Sequence, residues 1–516
     1  MDKIGDFMSE TEIEFVGRVL DNVHGFIYYT EAEEKIMQTA LFKRLQSIKQ
    51  LSIVNWIFPG SEHTRYIHSL GVMYIADKIA VKLNLSIKES KIVRMAGLLH
   101  DIGHYPLSHV CESPYKKSFE IYIDEEFCKN VNMKVKMNID ELEDHPRSQY
   151  MEQSTGYHHE KIGADIVCNN KTIRKIIEDE CDSNAPDIIA DMIIGNTERL
   201  NVNPLLVQIL HSELDADGID YLMRDAMFSG TSFGAFELEQ LIGCMEIGEY
   251  NHKSILCINP KGIAAADQYL INKFFSYSQV VFNKHIIVTE WMAEQIVNWM
   301  QKNNAFFPLC MDLEKWVKSQ EESDKYLAFT DNFFWSSLQN ILDNPLRDTE
   351  PNFVKSFCRK LLNHTDLQFE KNSEVKVVSN DIDEIKRELQ NSNTYKKLEN
   401  YGSKVALFNV RPMSKQMKQK DFDEQLQKLV DAGNAHPEDA DVTTEDDLPA
   451  LRARRFMECI CVKDGEKLHL LCDDSRSLMR TLYNEKLVLL RVYDCDGRLL
   501  YYLYYFYRTV NRNISW

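Results

Sequence analysis

Apolar residues recur at three- and four-residue steps at Leu70, Met73, Ala76, Ile79 and Leu83, which predicts an amphipathic helix from about His68 to Leu83. A second helix follows. Ser86 and Glu89 have the spacing of a capping box, and Ile92, Val93, Ala96 and Leu99 continue the period until Gly103 interrupts it. A third apolar stretch runs from Leu205 through Asp225. Most of the first three hundred residues pattern in this way, as neighbours in a helical bundle. Near the C-terminus the pattern changes to β-branched and aromatic residues, "KLVLLRVYDCDGRLLYYLYYFYR", with Asp496-Gly497 as a hairpin signal. The expected class is mainly α: a helical bundle with additional helices and a smaller C-terminal α+β lobe containing antiparallel strands. The chain divides into a core over 1–300, a helical extension over 301–432, an acidic linker or loop over 433–450 and a strand-containing lobe over 451–516. Between Glu112 and Tyr157 the sequence is charged and irregular and reads as a surface excursion.

Composition narrows the partners. The chain has 516 residues and 44% hydrophobic content, enough for more than one core. Its net charge of -19 and pI near 5.3 argue against broad binding to nucleic acid or anionic lipid, while leaving room for a focused positive pocket. The aromatic run from Tyr493 to Tyr507 therefore reads as strand core and not as a base-stacking platform. The twelve cysteines are scattered, and Cys459 and Cys461 do not have zinc-ribbon spacing, so reduced thiols are expected. The start lacks the features of a signal peptide and no apolar run approaches ~20 residues, so a cytoplasmic protein without membrane contact is expected.

The chemistry concentrates around "GLLHDIGHYPLSH", Gly97 to His109. His100 and Asp101 alone decide nothing, because a histidine is favoured at any helix C-terminus and an aspartate turns the chain. Partners occur elsewhere: His68 in "HTRYIHSLGV" and Asp217 in "HSELDADGIDYLMRD". Two imidazoles with two carboxylates suit a divalent transition metal and leave positions for water and substrate. Arg65 precedes His68 by three residues, His104 and His109 follow the His-Asp pair, and "YHHEKIGADIV" supplies His159. Asp217, Tyr221 and Asp225 fall at four-residue steps on one helical face. Each of Arg65, His104, His159 and Asp225 alone would read as a surface or capping residue. Together with the four donors they mark a site. His63, His158 and His211 read as structural or supporting residues, and His24 as structural.

The ordered set His68, His100-Asp101 and Asp217 resembles that of HD-domain metallophosphohydrolases. "FKRLQSIKQL", "PGSEHTRYIHSLGV", "LLHDIGHYPLSH", "HHEKIGADIV" and "DGIDYLMRDAMFSGTSFG" are similar to the deoxynucleoside triphosphate triphosphohydrolases, clearly from Asp21 to Lys284 and more faintly beyond. The resemblance implies that the bundle over 1–300 is an HD-domain catalytic core hydrolysing dNTPs to deoxynucleoside and triphosphate by metal-activated water at the α-phosphorus. It implies iron, manganese or zinc on His68, His100, Asp101 and Asp217, with magnesium accompanying the nucleotide phosphates. Arg65, His104 and His159 would meet the triphosphate, His109 would be the general acid, and Glu112 its orienting carboxylate. Gln50 and Asp225 would read the sugar 3'-hydroxyl and Tyr221 would fill the space beside C2'. Lys284 stands where the family has a basic residue near the phosphates or an allosteric nucleotide. A homo-oligomer, an allosteric nucleotide and dNTP depletion in antiviral defence complete the implied picture.

Two departures stand out. Gly218 replaces the basic residue that often follows the last metal-binding aspartate, and Gln38 stands in "MQTALFKRLQ" where a guanine-reading carboxylate is expected. Two alternatives stay open: HD chemistry on another nucleotide, and a nucleotide-sensing scaffold without turnover. The diesterase variant is disfavoured, because "GYHHE" lacks its following proline-bearing element.

Overall fold

In the computed structural model, which describes residues 13–112, 115, 157–196, 203–303, 306–343, 352–392, 404–414, 456, 458–483 and 485–494, helices Arg65–Lys82 and Ile87–Leu99 pack side by side. The Ser86 hydroxyl accepts from the Glu89 amide and the Glu89 carboxylate accepts from the Ser86 amide. The helix start is thereby satisfied by its own side chains. Ile92, Val93, Ala96 and Leu99 are buried against Val72, Met73, Ala76 and Ile79 in one large core. The stretch read as one helix from Leu205 to Asp225 is instead two, Pro204–Leu210 and Ala216–Ser229. Asp215 between them accepts from the amides of Ser212 and Gly218, and so begins a new helix. Apolar periodicity hides the break because Leu210 and Leu214 on either side of it are both buried.

Helix Ala216–Ser229 packs against Arg65–Lys82, and Ile263–Ser276 packs against Ala216–Ser229. A π-helical turn, Tyr277–Val281, then leads towards helix Lys284–Lys302. Antiparallel strands accompany this mainly helical fold. Gly17–Asp21 and Gly25–Tyr29 form an N-terminal hairpin. A four-stranded sheet has the order Met245–Tyr250, Lys253–Ile258, Cys461–Asp464, Lys467–Leu470, and its two middle strands run parallel with Cys257 opposite Cys461. In the three-stranded sheet, Lys486–Asp494 lies between Phe369–Ser379 and Lys404–Pro412, antiparallel to both. Pairing in both larger sheets thus joins chain segments from either side of residue 450. The 433–450 linker, the Asp496-Gly497 turn and the tyrosines beyond it lie outside the described residues. No disulfide joins any two of the ten described cysteines. Among the described residues, no helix is long and apolar enough to cross a membrane.

Candidate functional site

His68 sits in the first turn of helix Arg65–Lys82 and is fully buried. Its Nδ1–H donates to Asp220 at 2.7 Å, which turns Nε2 toward Asp217 at 2.9 Å. His100 ends helix Ile87–Leu99 and donates from Nδ1 to the Gly97 carbonyl at 2.8 Å. Its Nε2 is left buried with no hydrogen-bond partner, 3.5 Å from Asp101 Oδ1 and 3.8 Å from Asp217 Oδ1. Arg65 holds Asp101 at 2.6 Å, and the same carboxylate oxygen lies 3.8 Å from His68 Nε2. Burial alone would raise the Asp101 carboxyl. The charges of Arg65, His100 and His68 outweigh it and keep the group ionised well below the usual range. Burial alone would lower His68, but its hydrogen bonds to Asp217 and Asp220 hold it at about 10.

On the other side of Asp101 lies a second group of imidazoles. A Cβ at Gly103 would fall 2.2 Å from the His159 carbonyl and 2.3 Å from the Gly163 nitrogen. The missing side chain lets helix His159–Asn169 close on the His-Asp turn. That approach stacks His159 on His104 at 4.2 Å, with His109 edge-on to both. Glu112 accepts from Nδ1 of His109 at 3.0 Å and of His159 at 3.4 Å. His104 is fully buried and neither ring nitrogen has a hydrogen-bond partner, Nε2 lying 3.9 Å from Asp101 Oδ1. Burial, then the charges of Arg65 and His159, drive its pKa far down, so the ring is neutral. His159 moves up instead, because Glu112 outweighs the cost of burial.

The sugar-side candidates converge as well. Asp217, Tyr221 and Asp225 line one cleft with Gln50. His63 donates to Asp225 at 2.8 Å, and the Gln50 amide bonds the His63 carbonyl. The Gln50 side chain is buried with its Oε1 unpaired. His158 caps helix His159–Asn169, while His211 lines the cleft. Lys284 is not one of the residues that line the cleft, and its Nζ lies 4.8 Å over the Phe369 ring.

Three residues were missed in the sequence. Asp220 orients His68. Glu290 lines the cleft and is raised to about 8 by burial and then by Glu294. Lys273 lines the cleft with its Nζ 3.5 Å from where a Gly218 Cβ would sit. A side chain at 218 would also meet the Tyr269 hydroxyl at 2.3 Å. Position 218 therefore has no room for a cation, and Lys273 brings one to the same place from another helix. The available signal was an isolated lysine in the apolar run "YLINKFF".

The cleft holds about 720 Å³, within the ~300–1,000 Å³ of small-molecule sites. Its donor set fits a divalent transition metal: ligand atoms of His68, His100 and Asp101 lie within 4.8 Å of one another, Asp217 completes the group, and His100 Nε2 has no other partner.

Residues 65–222 match the family model of the HD domain. An uncharacterized protein of Methanocaldococcus jannaschii is 28% identical over 287 residues, 55% of this chain and 50% of its own length. A protein of Dictyostelium discoideum named as a deoxynucleoside triphosphate triphosphohydrolase SAMHD1 homolog is 29% identical over 222 residues, covering 41% of this chain and 36% of its own. A crystal structure of a phosphohydrolase from Bacteroides thetaiotaomicron shares the fold, with a TM-score of 0.56 at 17% identity over 93% of this chain and 99% of that one. The chain spans about half the length of the M. jannaschii relative, 50%, and 64% of a Mycoplasma genitalium one. The chain thus carries an HD domain over residues 65–222, and the His-Asp donor set lies within that matched region.

Proposed function

We propose that the protein hydrolyses deoxynucleoside triphosphates to deoxynucleoside and inorganic triphosphate. One observation carries this reading: a single site combines the two-histidine, two-aspartate donor set with Arg65, His104 and His159 on one side and Tyr221, Asp225 and Gln50 on the other. When bound, a divalent transition metal supplies Lewis-acid polarisation and a water that ionises near neutral pH. Arg65 and the raised His159 meet the negative charge of the phosphates, and Lys273 adds a cation beside Gly218. Water oxygen bonds to the α-phosphorus, the bond from that phosphorus to O5' breaks, and His109 delivers a proton to O5'. Glu112 holds His109 by its Nδ1 and so fixes the ring for that transfer. Asp225 and Gln50 bond the 3'-hydroxyl while Tyr221 occupies the 2' side. Magnesium accompanies the triphosphate.

The test is product analysis. Metal-loaded protein is incubated with each dNTP and NTP, singly and mixed, and the products are resolved by ion-exchange chromatography. Deoxynucleoside with intact triphosphate is expected from dNTPs. Monophosphate with pyrophosphate, or diphosphate with phosphate, would overturn the reading.

A further inference from the structure

The N-terminal hairpin precedes the region that matches the HD domain, residues 65–222, yet its turn reaches Asp220, the carboxylate that holds the candidate metal ligand His68. Asp21 ends the first strand, and its Oδ1 accepts from the amides of Val23 and His24 at 2.9 Å each. That turn directs the His24 ring inward, stacked on Tyr74 at 4.9 Å, where Nε2–H donates to Asp220 Oδ1 at 2.5 Å. Arg224 bridges the two carboxylates. It donates to Asp21 at 2.8 and 3.2 Å and to Asp220 at 2.8 and 3.0 Å. Asp220 Oδ2 accepts in turn from His68 Nδ1–H at 2.7 Å. All these side chains are buried: His24 is 1% exposed, Asp220 and Arg224 0% and Asp21 5%.

The backbone makes room for this chain of contacts. A Cβ on Gly71, one turn after His68, would lie 1.9 Å from Asp220 Oδ1 and 2.4 Å from an Arg224 nitrogen. A buried carboxylate bonded on both oxygens cannot rotate without stranding a charge. An imidazole bonded to it holds its Nδ1 proton in place, which leaves Nε2 as the nitrogen that a metal takes.

We propose that the hairpin turn is a positioning element of the metal centre: Asp21 and His24 hold Arg224 and Asp220, and Asp220 holds the His68 ring with Nε2 directed at the donor set. This rests on the reading of His68 as a metal ligand. Among the described residues no hydrogen bond or ion pair joins the hairpin to the four donors, and its bonded path to His68 runs through Asp220.

Cobalt(II) added to the metal-stripped full chain, followed by calorimetry and by its visible absorption, tests the inference. Asp220→Asn should weaken cobalt affinity by ~10- to ~100-fold and change the absorption spectrum. His24→Asn, which removes a partner of Asp220, and Gly71→Ala, which crowds its carboxylate, keep the aspartate itself and should weaken affinity several-fold, and they keep the test alive if Asp220→Asn does not fold. Melting of each metal-free variant separates lost positioning from lost stability. Cobalt affinity within ~2-fold of the parent in the folded His24→Asn and Gly71→Ala chains would overturn the inference while leaving the metal site intact. A parent chain that binds no cobalt would overturn the metal reading and the inference with it.

Discussion

His68 and His104 are both fully buried imidazoles of one site, yet the first has both ring nitrogens engaged and the second has neither. Around His68 the geometry is braced, with Nδ1–H committed to Asp220, just as the Nδ1–H of His100 is committed to the Gly97 carbonyl. A metal donor must present one lone pair in one direction, and bracing the opposite nitrogen does that. Around His104, packing alone fixes the ring, stacked on His159 and held neutral. A buried polar ring without a partner is costly, on the order of 1–3 kcal/mol for each unsatisfied group. That cost is offset when a ligand supplies the missing hydrogen bond. Braced atoms mark where geometry must not change, and orphaned atoms, His100 Nε2 among them, mark where a metal or a ligand would supply the missing partner.

The largest effect that could break this contrast is at the histidine side. His109→Ala should lower kcat by ~100- to ~10,000-fold through loss of the proton donor, with bound metal unchanged. Loss of metal, read by elemental analysis of the purified variant, would mean that the two sides are one structure. A smaller effect sharpens the substrate assignment. Tyr221→Ala should narrow the ratio of kcat/KM for dNTP over NTP by ~10- to ~100-fold. An equal loss for both substrates would make the ring a packing element only.

The smallest effect concerns Glu290, on a wall of the cleft remote in sequence from both groups. Burial and then Glu294 raise its carboxyl from 4.5 to about 8. The folded chain therefore keeps a proton that the unfolded chain releases between those values. The associated stability is full below 4.5 and is lost as pH rises toward 8. Glu290→Gln should flatten the pH dependence of melting across that window and melt a few degrees higher at its upper end. Parallel melting curves for parent and variant would contradict the assignment.

The helices that carry the site were legible because their buried faces repeat at the helical period, and His68, His100-Asp101 and Asp217 stand at or near helix ends where that period starts or stops. The break at Asp215 was not, since burial continues across it. Asp220 and His24 gave no sign of their role. Contacts between residues 196 apart, as between His24 and Asp220, leave no periodic trace. Lys273 stood out only as an isolated lysine in an apolar run, and its place beside Gly218 is set by helix packing that the sequence does not show. For Lys284, which resemblance put near the phosphates or an allosteric nucleotide, nothing in the sequence hinted that its ammonium lies over the Phe369 ring. The two larger sheets could not be read either, because their pairings bring strands before residue 415 against strands after 460.

The most direct test of the contrast between braced and orphaned imidazoles measures two affinities in two variants: manganese(II) for the metal-free chain, and inorganic triphosphate for the metal-loaded one. The double variant His100→Ala, Asp101→Ala should lose manganese binding outright, since Asp220 and the rest of its surroundings cannot hold an ion without those donors. His104→Ala should bind manganese as the parent does and bind triphosphate ~10-fold or more weakly, the loss of one hydrogen bond to a charged group. Manganese retained by the double variant, or lost by His104→Ala, would contradict the division of the site into a metal side and a phosphate side.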